Sequence, residues 1–280
     1  MRRVREHIEI KSLDQIKLMR EAGLVVARGL AAMRDAVAPG VSTADLDAIA
    51  RDVLAVEGAT SSFLNYGFPP FPAVICASVN AEIVHGIPSP DTVLHEGDLI
   101  SLDFGAIVDG WHGDAAITVP VGGVSAAAAA LSAACEKSLW DGLVAARVDG
   151  RLTDISHAVE TSVHGSGNYG IVTGYGGHGI GTQMHMDPHV QNIGRPGRGA
   201  PLVPGMALAI EPMITLGTSA TRELNDHWTV ATADGSLAAH WEHTVAILDD
   251  GPWVLTAPDG GQVELAARGV AVSATAAVGS

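Results

Sequence analysis

Residues 98–119 read DLISLDFGAIVDGWHGDAAITV. Two apolar, β-rich runs flank Asp109-Gly110, a dipeptide that accepts the positive φ angles of a two-residue hairpin turn. Pairing outward from that turn sets Val108 opposite Trp111 and Gly105 opposite Asp114. Asp103 then shares the face of Asp114 as its diagonal neighbour, with Cβ atoms about 7–8 Å apart or somewhat less. Carboxylates so spaced do not touch, but both reach cations placed between them, and the ions of a two-metal site stand roughly 3.5–4 Å apart. A solvated Asp103 is the bland alternative. Its setting, LISLDFGAI, is apolar, and a buried carboxylate without a counter-charge is costly. No Lys or Arg lies anywhere from 52 to 136, so a metal partner is favoured over an ion pair.

Glu211 raises the same question in MALAIEPMI (206–214), where Pro212 cannot donate to a β-ladder and opens the strand beside the carboxylate. In AAHWEHTVAIL (238–248), alternation puts His240, Glu242 and Thr244 on one face and Trp241, His243 and Val245 on the other. Context alone leaves Glu242 open between site and surface. TGYGGHGIGTQMHMDPHV (173–190) carries His178, His185 and His189 among dense glycines. Such a run is not expected to build a helix or a packed strand, but it lets the chain pass close to something. Two aspartates, two glutamates and one imidazole form a hard, oxygen-rich donor set suited to Mn²⁺, Fe²⁺, Co²⁺ or Zn²⁺. Four carboxylates against two such ions leave the site neutral, and a bridging water then loses a proton near pH 7.

The 280 residues hold 31 acidic against 16 basic side chains, a net charge of −15. Without a Lys/Arg cluster beyond the first few residues, no nucleic-acid surface is expected. The two cysteines, Cys76 and Cys135, lie in no CxxC, which excludes a thiolate zinc site and leaves a reducing compartment as the simpler reading. No apolar run reaches the roughly 18–20 residues of a membrane span. The start, MRRVREHIEIKS, has no apolar core behind its basic residues, so no signal peptide is read and a cytoplasmic location is expected.

Helical periodicity and caps predict helices over 12–38, over VSTADLDAIARDVLAVEG (capped by Ser42 or Thr43, ended by Gly58), from Ser125 to the end of SLWDGLVAARVDG, and over RLTDISHAVETSVHG opening at Thr153. β-rich runs occupy 73–84, 98–108, 112–121, 206–216, 227–232 and 240–248. The order is helices, strands, helices, strands. Gly40, Thr43 and Ala48 recur as Gly150, Thr153 and Ala158. Leu94, Gly97 and Asp103 recur as Leu202, Gly205 and Glu211, and His85-Gly86-Ile87 recurs as His178-Gly179-Ile180. These matches describe two α+β halves, about 12–121 and 122–256, each with a carboxylate at the same place in its sheet. The small-residue tail 257–280 is expected to be poorly ordered.

Five blocks in order carry a family resemblance: VHGIP (84–88), DFGAIVDGWHGDAAIT (103–118), GGHGIG (176–181), IEPM (210–213) and WEHTV (241–245). They resemble the signature blocks of type I methionine aminopeptidases, over about residues 10–256. The resemblance implies one α+β catalytic domain over 1–256 with the pita-bread (creatinase/aminopeptidase) fold, its two pseudo-symmetric halves around a dinuclear metal centre. It implies removal of N-terminal methionine from nascent polypeptides when the second residue is small, by a metal-activated hydroxide attacking the first peptide bond. Two divalent ions (Co, Mn, Fe or Zn) are implied. Asp103 would chelate one and Asp114 bridge both. His178 and Glu211 would ligate the second, and Glu242 bridge. Glu211 would shuttle the proton, His85 face the scissile amide nitrogen, and His185 face the carbonyl oxygen.

Tyr66, Phe68, Cys76, Met184 and Trp228 fall near the family's methionine-pocket positions. Met184 departs from the aromatic residue expected before His185, and NYGFPPFPAVICASVN (65–80) is longer than the usual loop. His189 is read as a surface or packing histidine. A monomer working near the ribosome, with no nucleic-acid or membrane partner, is expected. The nearest rival is an X-Pro aminopeptidase of the same fold, which usually carries an additional N-terminal domain; here the first helix starts near residue 12. Type II methionine aminopeptidases carry a late helical insertion, for which the 32 residues between His178 and Glu211 and the 30 between Glu211 and Glu242 leave no room. A catalytically dead pita-bread binding protein is expected to have lost ligands that are all present here.

Overall fold

The computed structural model describes residues 7–278. The basic start, 1–6, on which the signal-peptide reading bears, and residues 279–280 lie outside the described residues. The chain runs through two similar series. The first is α1 (Leu13–Ala36), α2 (Thr43–Glu57), β1 (Thr60–Ser61), β2 (Ile75–Val79), β3 (Glu82–Val84), β4 (Leu99–Val108) and β5 (Trp111–Pro120). The second opens with α3 (Ala126–Ala145) and α4 (Leu152–Ser166). Its strands are β6 (Gly170–Ile171), β7 (Gly177–Gly179), β8 (Met186–Val190), β9 (Ala207–Ile210), β10 (Met213–Thr215), β11 (Thr221–Glu223), β12 (Val230–Thr232), β13 (Ala238–His240), β14 (Glu242–Leu248) and β15 (Gly251–Val254). A short α5 (Gln262–Ala267) follows.

The caps act as the sequence predicts at α2, and α1 opens on a cap of the same kind. The Ser12 hydroxyl accepts from the Gln15 amide while the Gln15 side chain accepts from the Ser12 amide. Ser42 and Asp45 form the same reciprocal pair, and Gly58 closes α2 at φ 66°. At α4 the carboxylate of Asp154 caps through the Arg151 amide instead of Thr153. Thr153 is used elsewhere, in a two-way bond with the backbone of Arg198.

One nine-stranded antiparallel sheet spans both halves in the order β1-β4-β5-β14-β9-β7-β8, with β2 also on β4 and β15 also on β14. The halves join where β5 meets β14, Ala116 opposite Glu242. Period-2 alternation assigns the faces. Ile100, Leu102, Phe104 and Ala106 of β4 pack under α1 and α2 with Leu30, Met33 and Leu46. Leu208, Ile210, Val245 and Ile247 pack under α3 and α4 with Leu139, Leu143 and Ile155. Polar residues of the same strands therefore meet on the opposite face, over the seam between the halves.

Two expectations are corrected. The glycine-rich run does form strands, β7 and β8, inside the large sheet. A Cβ on Gly177 would lie 2.2 Å from the Ala209 carbonyl oxygen, and one on Gly179 2.2 Å from that of Asp187. The glycines are what let these backbones approach, a gain that outweighs their entropic disadvantage. The tail is also structured as far as it is described. Gly260 and Gly261, both at positive φ, turn the chain back so that Leu265 is buried in the second-half core. Arg268 bonds Asp141 of α3 at 3.1 Å, and Arg20 of α1 donates to the carbonyls of Val254, Leu255, Ala257 and Pro258.

Candidate metal centre and active site

The hairpin has the register read from its turn: Val108 pairs with Trp111, Gly105 with Asp114 and Asp103 with Ala116. Ala116 is also the partner of Glu242, so one lateral row reads Asp103, Ala116, Glu242 with only a methyl between two carboxylates. Thr244 locks the seam one step along, accepting from the Asp114 amide at 3.2 Å and donating to its carbonyl at 2.8 Å. Glu211 follows directly on β9, where Pro212 ends the ladder. His178 enters from β7, which pairs with β9.

The His178 Nδ1 lies 3.0 Å from its neighbour's carbonyl, Gly179 O. A carbonyl only accepts, so Nδ1 carries the proton, and Nε2 presents its lone pair 3.5 Å from Glu211 Oε1. Burial lowers the His178 pKa to about 3 and that of His240 to about 3, which leaves both rings neutral and able to ligate.

The carboxylates are displaced the other way. Burial, then the charges of Asp114 and Glu211, push Asp103 well above the usual range. Burial raises Asp114 to about 7 and, with the Asp114 charge, Glu211 to about 8. Glu242 is raised well above its ordinary value by burial, then by Asp114, Glu211 and Asp103. Four acids in one cavity, with no Lys or Arg paired to them among the described residues, lack a positive partner. Asp103 Oδ1, Asp114 Oδ1, Glu242 Oε1 and His240 Nε2 are buried without a hydrogen-bond partner. Such orphaned donors fit divalent cations, which would supply the missing charge. Two trios have ligand atoms within 4.8 Å of one another, Asp114–His178–Glu242 and Glu211–His240–Glu242, with Glu242 in both. Asp103 belongs to neither trio but lines the same cavity.

That cavity also receives His85, His185, Tyr66, Cys76, Met184 and Trp228. His85 sits at φ 62° on the turn after β3, where a Cβ on the following Gly86 would meet the Ala77 carbonyl oxygen at 2.4 Å. Its ring lies edge-on to Trp228, and burial holds its pKa down to about 4. His185 stands at the mouth, its Nδ1 2.8 Å from the Tyr66 hydroxyl. Cys76 pairs with Asp103 and is buried, which pushes its thiol far up and leaves it an apolar wall. His189 is exposed, as its reading as a surface residue expects.

Phe68 is a correction. It is 97% exposed and does not line the cavity. Backbone bonds from Asn65 N to Phe71 O and from Phe71 N to Tyr66 O close a turn with Phe68 at its outer tip. Phe71, 2% exposed, forms the wall instead, its ring edge-on to Trp228, with Phe63 beside it. The signal lay within the quoted loop, but nothing in the sequence says which of its two phenylalanines turns inward. His240 was also missed as a site residue, although alternation had already placed it on the face of Glu242.

The family model for metallopeptidase family M24 matches residues 17–249. The chain belongs to this family. It is 55% identical over 259 residues to methionine aminopeptidase 1 of Mycobacterium tuberculosis, covering 91% of this chain and 97% of that one. It is 52% identical over 249 residues to a methionine aminopeptidase of Clostridium acetobutylicum, covering 89% and 98%. The crystal structure of the Thermotoga maritima methionine aminopeptidase superposes with a TM-score of 0.86 at 35% identity, covering 89% of this chain and 99% of that one. The resemblance carried by the five sequence blocks is thereby shown, and the α+β fold of this M24 peptidase is the pita-bread fold. No helix among the described residues is long and apolar enough to cross a membrane.

Proposed function

We propose that this metallopeptidase removes the initiator methionine from nascent polypeptides in the cytoplasm, when the second residue is small, with two divalent ions (Co, Mn, Fe or Zn) held by Asp103, Asp114, His178, Glu211 and Glu242. The observation that carries this is the meeting of two incompatible environments. Orphaned buried acids, which require cations, abut a wall of Phe63, Phe71, Cys76, Met184 and Trp228, which rejects them. An N-terminal residue with an unbranched apolar side chain satisfies both, its amine and first carbonyl over the acids and its thioether against aromatic edges and the Met184 sulfur. Met184 supplies a softer wall than the aromatic residue expected there.

The ions, when bound, supply Lewis acidity toward the carbonyl and acidify water. The chain's own residues do the rest. Glu211, the acid beside the strand break at Pro212, takes and returns the proton. His85, neutral and held by Trp228, faces the scissile amide nitrogen. His185 faces the carbonyl oxygen. In the tautomer whose Nδ1 accepts from the Tyr66 hydroxyl, Nε2 carries the proton that this oxygen needs as negative charge develops. The relatives named methionine aminopeptidases support the same substrate.

A peptide panel tests the reading. Met-Ala and Met-Gly peptides should be cleaved, chelator should abolish the reaction, and Mn²⁺ or Co²⁺ should restore it. Met-Lys, Met-Phe and Ala-Pro peptides should be cut at least tenfold more slowly, on the order of 1.4 kcal/mol. Equal rates on Met-Lys, or a preference for X-Pro, would contradict the assignment.

A further inference from the structure

Among the groups on the wall of the cavity, His240 has no role in the ligand set above. It is 2% exposed, and its Nε2 has no hydrogen-bond partner. Its backbone is fixed on both sides. The amide donates to Thr118 Oγ1 at 3.0 Å, and the carbonyl accepts from the same hydroxyl at 2.7 Å. The His240 backbone is thus tied to the hairpin, and its buried ring lines the cavity.

Nε2 lies 3.7 Å from Glu211 Oε2 and 3.8 Å from Glu242 Oε2. Those separations are too long for hydrogen bonds. They are the separations of ligands on one ion, since donors at about 2.0–2.2 Å in tetrahedral or trigonal array stand roughly 3.3–3.8 Å apart. The carboxylate of Glu211 is thus flanked by an imidazole on each oxygen, His178 on Oε1 and His240 on Oε2. A ring placed here merely to orient Glu211 would donate to it at ordinary distance, and this one does not.

We propose that His240 is a sixth protein ligand of the metal centre, giving it a second imidazole on the side of Glu211 and Glu242. The proposal rests on the two-metal reading above. A second nitrogen donor moves the site from a nearly all-oxygen set toward one that favours Zn²⁺ or Co²⁺ over Mn²⁺.

X-ray absorption of the full chain loaded with two equivalents of Zn²⁺ tests this directly. Two ligating histidines over two ions give an average of about one imidazole per metal, and one histidine gives about half. The expected result is about one for the wild type, falling to about half in His240→Gln. In calorimetric titration the same substitution should weaken the affected site for Zn²⁺ at least tenfold and for Mn²⁺ by less. Half an imidazole per metal in the wild type, measured without any variant, would overturn the proposal and leave the two-metal reading standing. An unchanged imidazole signal and unchanged affinities in His240→Gln would overturn it equally. A wild type that takes up no second ion would overturn both readings together.

Discussion

The two halves share a scaffold and divide the chemistry. Thr43 at the start of α2 exchanges hydrogen bonds with the backbone of Ser89, donating at 3.1 Å and accepting at 2.9 Å. Thr153 near the start of α4 does the same with Arg198, at 3.0 and 2.9 Å. Gly97 and Gly205, before β4 and β9, turn at φ 94° and 89°. At the equivalent point of each sheet stands an acid, Asp103 in one half and Glu211 in the other. Beyond that the halves diverge. The first closes a long hairpin, and its short side chains, Asp103 and Asp114, stay on the strands. The second breaks its strand at Pro212, uses longer glutamates, and supplies the imidazoles of His178 and His240. A duplicated frame fixes where the donors stand, and local strand breaks decide which donors they are.

Asp114 stands on β5 beside the seam, its backbone locked to Thr244 of the other half, and its loss should be the most damaging. Asp114→Asn should disturb binding of both ions and reduce turnover roughly 10⁴-fold, several kcal/mol of lost charge stabilisation. Metal analysis beside kinetics checks this, and a variant with two tightly bound ions and normal rates would remove Asp114 from the centre. His85 comes from the first half but binds no metal in this account. His85→Ala should lower kcat roughly 10²–10⁴-fold with metal content nearly intact, the range of a lost proton-transfer group. Loss of both ions would reassign it.

Phe71 and Phe68 set two ends of one loop against each other. Phe71→Ala should destabilise by about 3 kcal/mol and raise KM for methionyl peptides, because it empties a packed wall. Phe68→Ala should change stability by less than about 0.5 kcal/mol. Urea unfolding of the two variants decides, and equal effects would show that the turn is misplaced.

The smallest effect is one of pH, and its sign separates acids from histidines. Above about pH 7.5, a full unit past the ordinary histidine value of about 6.5, the lowered histidines are essentially neutral in both folded and unfolded chains. Asp114 and Glu211, raised to about 7 and about 8, still hold protons in the folded state that the unfolded chain has released. The metal-free protein should therefore lose stability as pH rises from about 7.5 to 9, by a few degrees in Tm. Mn²⁺ should cancel the loss by replacing those protons. A metal-free Tm that rises across this window would contradict the acids' displacement.

Much of this could be read from the residues. The Asp109-Gly110 turn fixed the hairpin register to the residue, because a two-residue loop allows one pairing. The duplicated Gly, Thr and Leu positions gave the two-half organisation. What escaped depended on contacts between distant segments. The strands at Gly177–Gly179 and Met186–Val190 exist because other backbones need glycine's lack of a side chain. The inward turn of Phe71 depends on a backbone closure that no periodicity reports. The order of the tail depends on Leu265 finding the core that α3, α4, β9 and β14 build. His240 was placed on the correct face by alternation, but only the distances to Glu211 and Glu242 give it a task.

The central claim is that the two halves pool their acids around a pair of cations. Anomalous diffraction from crystals soaked in Mn²⁺ tests it most directly. Two peaks are expected in the cavity, roughly 3.5–4 Å apart, with Glu242 and Asp114 against both and Asp103 against one. A cavity without anomalous density, its carboxylates protonated and bonded to one another, would contradict it.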